Sequence, residues 1–276
     1  MISYDFEYCK PSSAEEAVRL FQQADSSGLN PLYYSGGTEF ISMARLDRLR
    51  TGAVIDIKGI ADCRLLEARQ DQLVIGAAIP LTTISEWGMF PLLGESARHV
   101  ADYTNRNKIT VGGNLCGKFI YREALLPFLL ADSRAVLAGP EGRRTIPVMQ
   151  VFNGEPRLAK GELLLQLLTD RSTVRLPFFT VRKTKLEVID YPIVRVAALR
   201  APEGIRAAFS GVSSIPFRSI RVEEALNDTS VSMEHRIENA IRLWPAPILR
   251  DILASAEYRT FVLRNALSET LTALGG

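Results

Sequence analysis

Between the strand-like triplet Leu32-Tyr33-Tyr34 and the apolar run Ala53-Val54-Ile55-Asp56-Ile57 the chain reads Ser35-Gly36-Gly37-Thr38-Glu39-Phe40-Ile41-Ser42-Met43-Ala44. The aromatic triplet suits an extended segment, the glycine pair breaks it, and Phe40, Met43 and Ala44 then recur at helical spacing. Strand, glycine loop, helix and strand in that order predict a βαβ unit. Its loop lies at the carboxyl end of a strand, where ligands bind in such sheets.

Outward from this unit, Ser12-x-x-Glu15 and Ser13-x-x-Glu16 both have capping-box spacing. With Ala14, Ala17, Val18 and Phe21 on one stripe they predict a helix over 13–24. Leu73-Val74-Ile75-Gly76-Ala77 reads as a strand, 82–87 and 91–103 as helices, and Ile109-Thr110-Val111 as a short strand stopped by Gly112-Gly113-Asn114. Residues 122–131 read as helix. Ala135-Val136-Leu137-Ala138 and Thr145-Ile146-Pro147-Val148 flank Gly-Pro-Glu-Gly as a hairpin. Beyond residue 176 the pattern is three strands, at 178–182, 193–200 and 205–212, then amphipathic helix over 222–274 interrupted at Pro245 and Pro247. Strands followed by a block of helices is an α+β pattern and places a boundary near Thr173.

Composition narrows the function classes. With 276 residues, 47% hydrophobic and 23% charged, the chain can build a globular core and is not a disordered segment. Thirty-three basic against 31 acidic residues leave +2, with no basic arm for nucleic acid or an anionic membrane. The longest purely apolar stretch, 125–131, is far short of the roughly 20 residues of a membrane span, and the amino terminus has no signal-peptide pattern, so a cytoplasmic location is expected. Cys9, Cys63 and Cys116 are too few and too scattered to ligate an iron–sulfur cluster, and His99 and His235 have no metal-site spacing, so no metal ligands and no catalytic residues are assigned.

Glycines let backbone amides approach a ligand and adopt φ > 0, so Ser35-Gly36-Gly37-Thr38 and Thr110-Val111-Gly112-Gly113-Asn114 can each hold half of a pyrophosphate, although a glycine pair after a strand can equally be a plain turn. Gly112-x-x-x-x-Gly117-Lys118 imitates a P-loop, but Phe119 replaces the hydroxyl residue that must bind magnesium. Gly-x-Gly-x-x-Gly and Gly-x-Ser-x-Gly are absent. Cys116 lacks a nearby histidine in sequence and reads as a packed thiol.

Ser35-Gly-Gly-Thr-Glu-Phe40 resembles the first flavin loop, usually Ala-Gly-Gly-Thr-Asp-Leu, of the FAD-binding medium subunits of the molybdenum hydroxylases, the xanthine dehydrogenase and carbon monoxide dehydrogenase type. Arg106-Asn107-x-x-Thr110-Val-Gly-Gly-Asn-Leu115 resembles the second, Arg-Asn-x-Gly-Thr-Ile-Gly-Gly-Asn. Pro11 with Glu15-Glu16-Ala17, Phe209-Ser-Gly-Val-x-x-x-Pro216-x-Arg218 and Ser255-Ala-Glu-Tyr-Arg259 fall in family order as well.

The resemblance implies an α+β fold. A two-lobed vanillyl-alcohol-oxidase-type FAD domain would occupy 1–172, with lobes of about 1–57 and 58–172, and a smaller domain with a three-stranded sheet and helices would occupy 173–276. It implies FAD contacts from Tyr34, Ser35, Gly36, Gly37, Thr38, Glu39 and Phe40, and from Thr110, Val111, Gly112, Gly113, Asn114 and Leu115. Glu123 stands where the family usually has an aspartate that hydrogen-bonds the cofactor. Leu167 falls near a position whose backbone meets the flavin ring, and either Arg182 or Lys183 falls where a lysine lies beside it. The alternative for that pair is a solvated strand end.

By the same resemblance the chain is an oxidoreductase subunit passing electrons from [2Fe–2S] clusters on a small partner through FAD to NAD+ or another acceptor, with molybdopterin on a large partner. A stand-alone flavin-dependent oxidoreductase, or a scaffold that has lost FAD, is the alternative. Two departures mark this chain: Ile109 replaces the usual glycine or alanine, and 116–122 replaces a short polar, proline-containing turn.

Overall fold

The computed structural model describes residues 2–185 and 189–275. Its first layer is a three-stranded parallel sheet of order β1-β3-β2, built from β1 (Glu7–Cys9), β2 (Leu32–Tyr34) and β3 (Ala53–Asp56). Helix α1 (Ala14–Ser26) connects the first two strands and α2 (Thr38–Arg45) the last two, so the expected βαβ unit is present. The Ser13 side chain caps α1 by accepting from the Glu16 amide, while the Glu16 carboxylate returns to the Ser12 amide and hydroxyl, one residue earlier than a simple capping box.

The second layer is a five-stranded antiparallel sheet of order β4-β5-β8-β6-β7, formed by β4 (Leu66–Ala68), β5 (Gln72–Gly76), β6 (Arg134–Gly139), β7 (Gly142–Pro147) and β8 (Leu163–Asp170). Helices α3 (Leu81–Trp87), α4 (Pro91–Arg98), α5 (Tyr103–Arg106), α6 (Val111–Cys116) and α7 (Leu125–Leu130) fill the connection from β5 to β6. The expected hairpin is β6–β7, closed at the Gly139–Gly142 pair with Gly142 at φ 99°. The expected strand over Ile109-Thr110-Val111 is reduced to one bridge between Thr110 and Pro80, because the helix begins at Val111.

Strand β8 is the central strand of this sheet and has no counterpart in the sequence reading. Leu163, Leu164, Leu165 and Leu167 are all at most 3% exposed. A strand covered on both faces shows no alternation, and a leucine run reads equally well as helix. Burying each such leucine contributes about 2 kcal/mol, so β8 holds its place by packing rather than by strand propensity.

After α8 (Val148–Val151) and α9 (Arg171–Val174) comes the third sheet, antiparallel and ordered β12-β11-β10-β9. It contains β9 (Phe178–Thr184), β10 (Pro192–Ala201), β11 (Gly204–Ser210) and the two-residue β12 (Phe217–Arg218). The three expected strands are thus joined by a fourth too short to carry a period. Helices α10 (Ile220–Asn227), α11 (Met233–Arg242) and α12 (Ala256–Ala273) cover one face. Ala197, Leu199 and Ala208 on the other face join the core that contains α7, which docks this sheet on the rest of the chain. Among the described residues no helix is long and apolar enough to cross a membrane, and no group of three His, Cys, Asp or Glu side chains could hold a metal ion.

Candidate functional site

The loop between β2 and α2 is shaped by its two glycines in different ways. Gly37 sits at φ 75° and ends in the left-handed region that a side chain disfavours. Gly36 instead needs space: a Cβ there would stand 1.8 Å from the Lys108 carbonyl oxygen. The first loop therefore lies directly on the backbone that leads into the second. No side chain caps α2. The amides of Thr38, Glu39 and Phe40, in its first turn, have no intrahelical acceptor. The Ser35 hydroxyl is shielded from solvent and has no hydrogen-bond partner among the described residues.

A small network fixes this loop from behind. Lys58 donates from Nζ to the Ser35 carbonyl at 2.9 Å and to the Asp56 carboxylate at 2.8 Å, and lies 4.4 Å from the Tyr34 ring centroid. Tyr8 donates its phenol to the same carboxylate at 2.5 Å. Burial opposes ionisation of Asp56, but the bonds from Lys58 and Tyr8 outweigh it and hold the carboxyl below its ordinary value. The hydrogen bond to Asp56 pushes the Tyr8 phenol up to about 12.

The second glycine pair is built differently from the expectation. Thr110 caps α6, accepting from the Gly113 amide at 3.2 Å, and neither Gly112 nor Gly113 has positive φ. The Val111 amide donates to Ile79 at 2.9 Å and the Gly112 amide to Ala77 at 2.8 Å, so these donors are consumed inside the protein. Gly112 is required by contact, since its Cβ would meet the Ala77 Cβ at 2.6 Å. Val111 and Leu115 are core residues with no exposure. Only Thr110, Gly113 and Asn114 of this motif reach the open side, and the Asn114 side chain accepts from the Ala124 amide at 3.2 Å.

The two loops face each other across a cleft of about 830 Å³, a size suited to a large organic cofactor. Tyr34 through Phe40, Thr110, Gly113, Asn114, Glu123 and Arg182 all line it. Glu123 is 4% exposed and accepts from Arg182 Nε at 3.1 Å. Of the two cations left open by the sequence, Arg182 lines the cleft. Its strand neighbour Lys183 pairs with Glu269 of α12 at 3.0 Å and does not line it. Leu167 is wholly buried in β8, paired to Ile75 and Ala135, and does not line it either.

Several lining residues had no signature in the sequence. Within the atypical 116–122 segment, Phe119 and Tyr121 both stack on Tyr191, with ring centroids 6.2 and 4.4 Å apart and planes at 26° and 14°. The Glu39 carboxylate crosses from the first loop to accept from the Lys118 amide at 2.9 Å. Arg122, held at φ 30°, donates to the carbonyls of Leu115 and Gly154. The i, i+2 placement of Phe119 and Tyr121 was the one available sign that this segment presents a ring face. Tyr191 lies just before β10, about seventy residues further along the chain, and could be found only in three dimensions.

The cleft suits a dinucleotide flavin: amides at the start of α2 and an unpaired hydroxyl for a pyrophosphate, flat aromatic faces for a ring system, and an arginine among the lining residues. Comparison with known proteins points the same way. The carbon monoxide dehydrogenase medium chain of Hydrogenophaga pseudoflava is 26% identical over 99% of this chain and 98% of its own length. The xanthine dehydrogenase FAD-binding subunit of Escherichia coli O157:H7 is 22% identical over 99% of both. In three dimensions a chain of carbon monoxide dehydrogenase from H. pseudoflava superposes with a TM-score of 0.88 at 24% identity, covering 100% of this chain and 99% of that one. Residues 4–168 match the family described as the FAD binding domain in molybdopterin dehydrogenase, and the chain belongs to that family, an FAD-carrying oxidoreductase subunit.

Proposed function

We propose that this chain is the electron-transfer subunit of a molybdenum hydroxylase complex in the cytoplasm, taking electrons from [2Fe–2S] clusters on a small partner and passing them through FAD to NAD+ or another acceptor. The substrate is oxidised at a molybdopterin centre on a large partner. The observation that carries the reading is the uncapped N-terminus of α2 beside the unpartnered Ser35 hydroxyl, a cluster of donors without acceptors at one wall of the cleft. A pyrophosphate supplies those acceptors, and the α2 dipole favours its negative charge.

In this reading Ser35, Gly36, Gly37 and the amides of Thr38, Glu39 and Phe40 bind the pyrophosphate, while Tyr34, Thr110, Gly113 and Asn114 bound the neighbouring chain. Val111, Gly112 and Leu115 support that wall from the core. Glu123 and Arg182 face the ring end, where a cation favours the negative charge of reduced flavin. FAD accepts electrons singly and releases them in pairs, which is why it is placed between iron–sulfur clusters and a two-electron acceptor. The clusters belong to a partner because three separate cysteines cannot supply the four thiolates of one cluster. We place the FAD domain at 1–172, in lobes of about 1–57 and 58–172, and the smaller domain at 173–276.

The test is purification of the chain from its source under mild conditions, followed by denaturation and identification of what is released. FAD, accompanied by one subunit with iron and one with molybdopterin, is the expected result. A colourless chain that FAD does not reconstitute, or a lone chain that oxidises an organic substrate unaided, contradicts it.

A further inference from the structure

Glu39 works in two directions. Its amide belongs to the donors that open α2, while its carboxylate reaches a segment 79 residues further along the chain. There both carboxylate oxygens accept from the Lys118 amide, at 2.9 and 3.1 Å, and both residues line the cleft. Gly117 leaves room for this contact. At φ −64° its backbone is one that any residue adopts, yet a Cβ would stand 2.6 Å from Glu39 Oε2 and 3.0 Å from the Gly113 carbonyl oxygen. Close approach of the carboxylate, rather than a turn, accounts for a glycine here.

The far end of the 116–122 segment is fixed by other bonds. Arg122 donates to the Leu115 and Gly154 carbonyls, and the Tyr121 carbonyl accepts from the Ser210 hydroxyl. Among the described residues, the bond to Glu39 is the one hydrogen bond made by the backbone of 118–120. Phe119, between these fixed points, carries one ring of the stack on Tyr191. A carboxylate near a bound pyrophosphate also repels it. Other charged side chains line the cleft, and Arg122 is near enough for the Glu39 charge to favour its cation, so reach and charge have to be separated by substitution.

We propose that Glu39 is a positioning residue that works as a clasp: by holding the Lys118 amide it keeps the first loop and the 116–122 segment together, and bound FAD leaves only after that bond opens. The proposal rests on the FAD reading above, in which both segments lie against the cofactor.

The test is the rate of FAD release from the loaded full chain, followed by the rise in flavin fluorescence on dilution, with equilibrium affinity and melting temperature measured beside it. Glu39→Asp keeps the charge but is one methylene too short to reach Lys118. It releases FAD about fivefold faster than wild type, a modest factor because water competes for this exposed bond. Glu39→Ala does the same. Glu39→Gln keeps an acceptor at the same reach and releases FAD at less than about half the rate of Glu39→Asp. Gly117→Ala displaces the carboxylate from the other side and speeds release by a similar factor. Added to Glu39→Ala it contributes less than about twofold, because both substitutions remove one contact. If charge beside the pyrophosphate were the whole effect, Glu39→Asp would match wild type and Glu39→Ala would release FAD more slowly. That result overturns the proposal, as do unchanged rates in all the variants or additive effects of Gly117→Ala and Glu39→Ala. Should Gly117→Ala not fold, the Glu39 series decides alone. A wild-type chain that does not bind FAD overturns the functional reading instead.

Discussion

The two glycine pairs, Gly36-Gly37 and Gly112-Gly113, are the same dipeptide put to different uses. In the first, Gly37 supplies a left-handed turn and Gly36 a close approach to Lys108, and the following amides open α2 without a side-chain cap. In the second, neither glycine has positive φ, and the amides of Val111, Gly112 and Gly113 are spent on Ile79, Ala77 and Thr110. A glycine-rich loop can thus be an anion receptor or a packing joint, and what separates them is where its N–H groups go. In the proposed reading the first loop holds the ligand, while the second supports the first loop from behind through Lys108 and the core.

The comparison is most exposed at Gly36. Alanine there must push the Lys108 carbonyl aside, and backbone cannot yield as a flexible side chain does. Gly36→Ala is expected to lower stability by about 3 kcal/mol and to weaken FAD more than about tenfold in the folded fraction, read by thermal melts and flavin titration. Gly112→Ala meets the Ala77 side chain instead and is expected to cost about 2 kcal/mol of stability while FAD affinity in the folded fraction stays within about threefold. If Gly112→Ala weakened FAD as strongly as Gly36→Ala, the division of labour between the loops would fall.

Gly113 sharpens the second half of the contrast. Because its φ is not positive and its Cβ would meet only the Thr110 hydroxyl at 3.0 Å, alanine is compatible with the backbone. Gly113→Ala should change stability by no more than about 1 kcal/mol, helix propensity offsetting the tight contact. Gly113→Val projects further into the cleft and should raise the FAD dissociation constant at least about tenfold, with Gly142→Val, at a hairpin turn far from the cleft, altering stability alone.

The smallest effect concerns acid. Asp56 titrates below its ordinary value in the folded chain, so the stability it gives is complete above the ordinary aspartate pKa of about 3.9 and disappears as pH falls through its lower folded value. Melting temperatures between about pH 3 and 6 should therefore fall less steeply in Asp56→Asn than in the wild type. Equal slopes would mean that the Asp56–Lys58–Tyr8 network does not brace the first loop.

How much could be read from sequence follows from what each residue depends on. The βαβ unit, the capped α1, the β6–β7 hairpin and the first glycine loop are local, set by spacing within a dozen residues, and all were legible. Strand β8 was not, because a run of leucines buried on both faces loses the alternation that marks a strand. The choice between Arg182 and Lys183 needed the register of β9 against β10, and the stack of Tyr191 on Phe119 and Tyr121 needed two loops about seventy residues apart brought together. The hydrogen-bond partners of Val111 and Gly112 lie more than thirty residues away, so the second loop's altered role has no local signature.

The central claim is that the first loop grips a pyrophosphate, and the measurement closest to it is titration of the cofactor-free chain with FAD and with FMN under the same conditions. FMN shares the ring and ribityl chain and lacks the second phosphate and adenosine. If the amides of Thr38, Glu39 and Phe40 with the Ser35 hydroxyl form the receptor, FAD binds at least about a hundredfold more tightly than FMN, two charge-assisted hydrogen bonds being worth that much. Equal affinities for FAD and FMN would contradict the account.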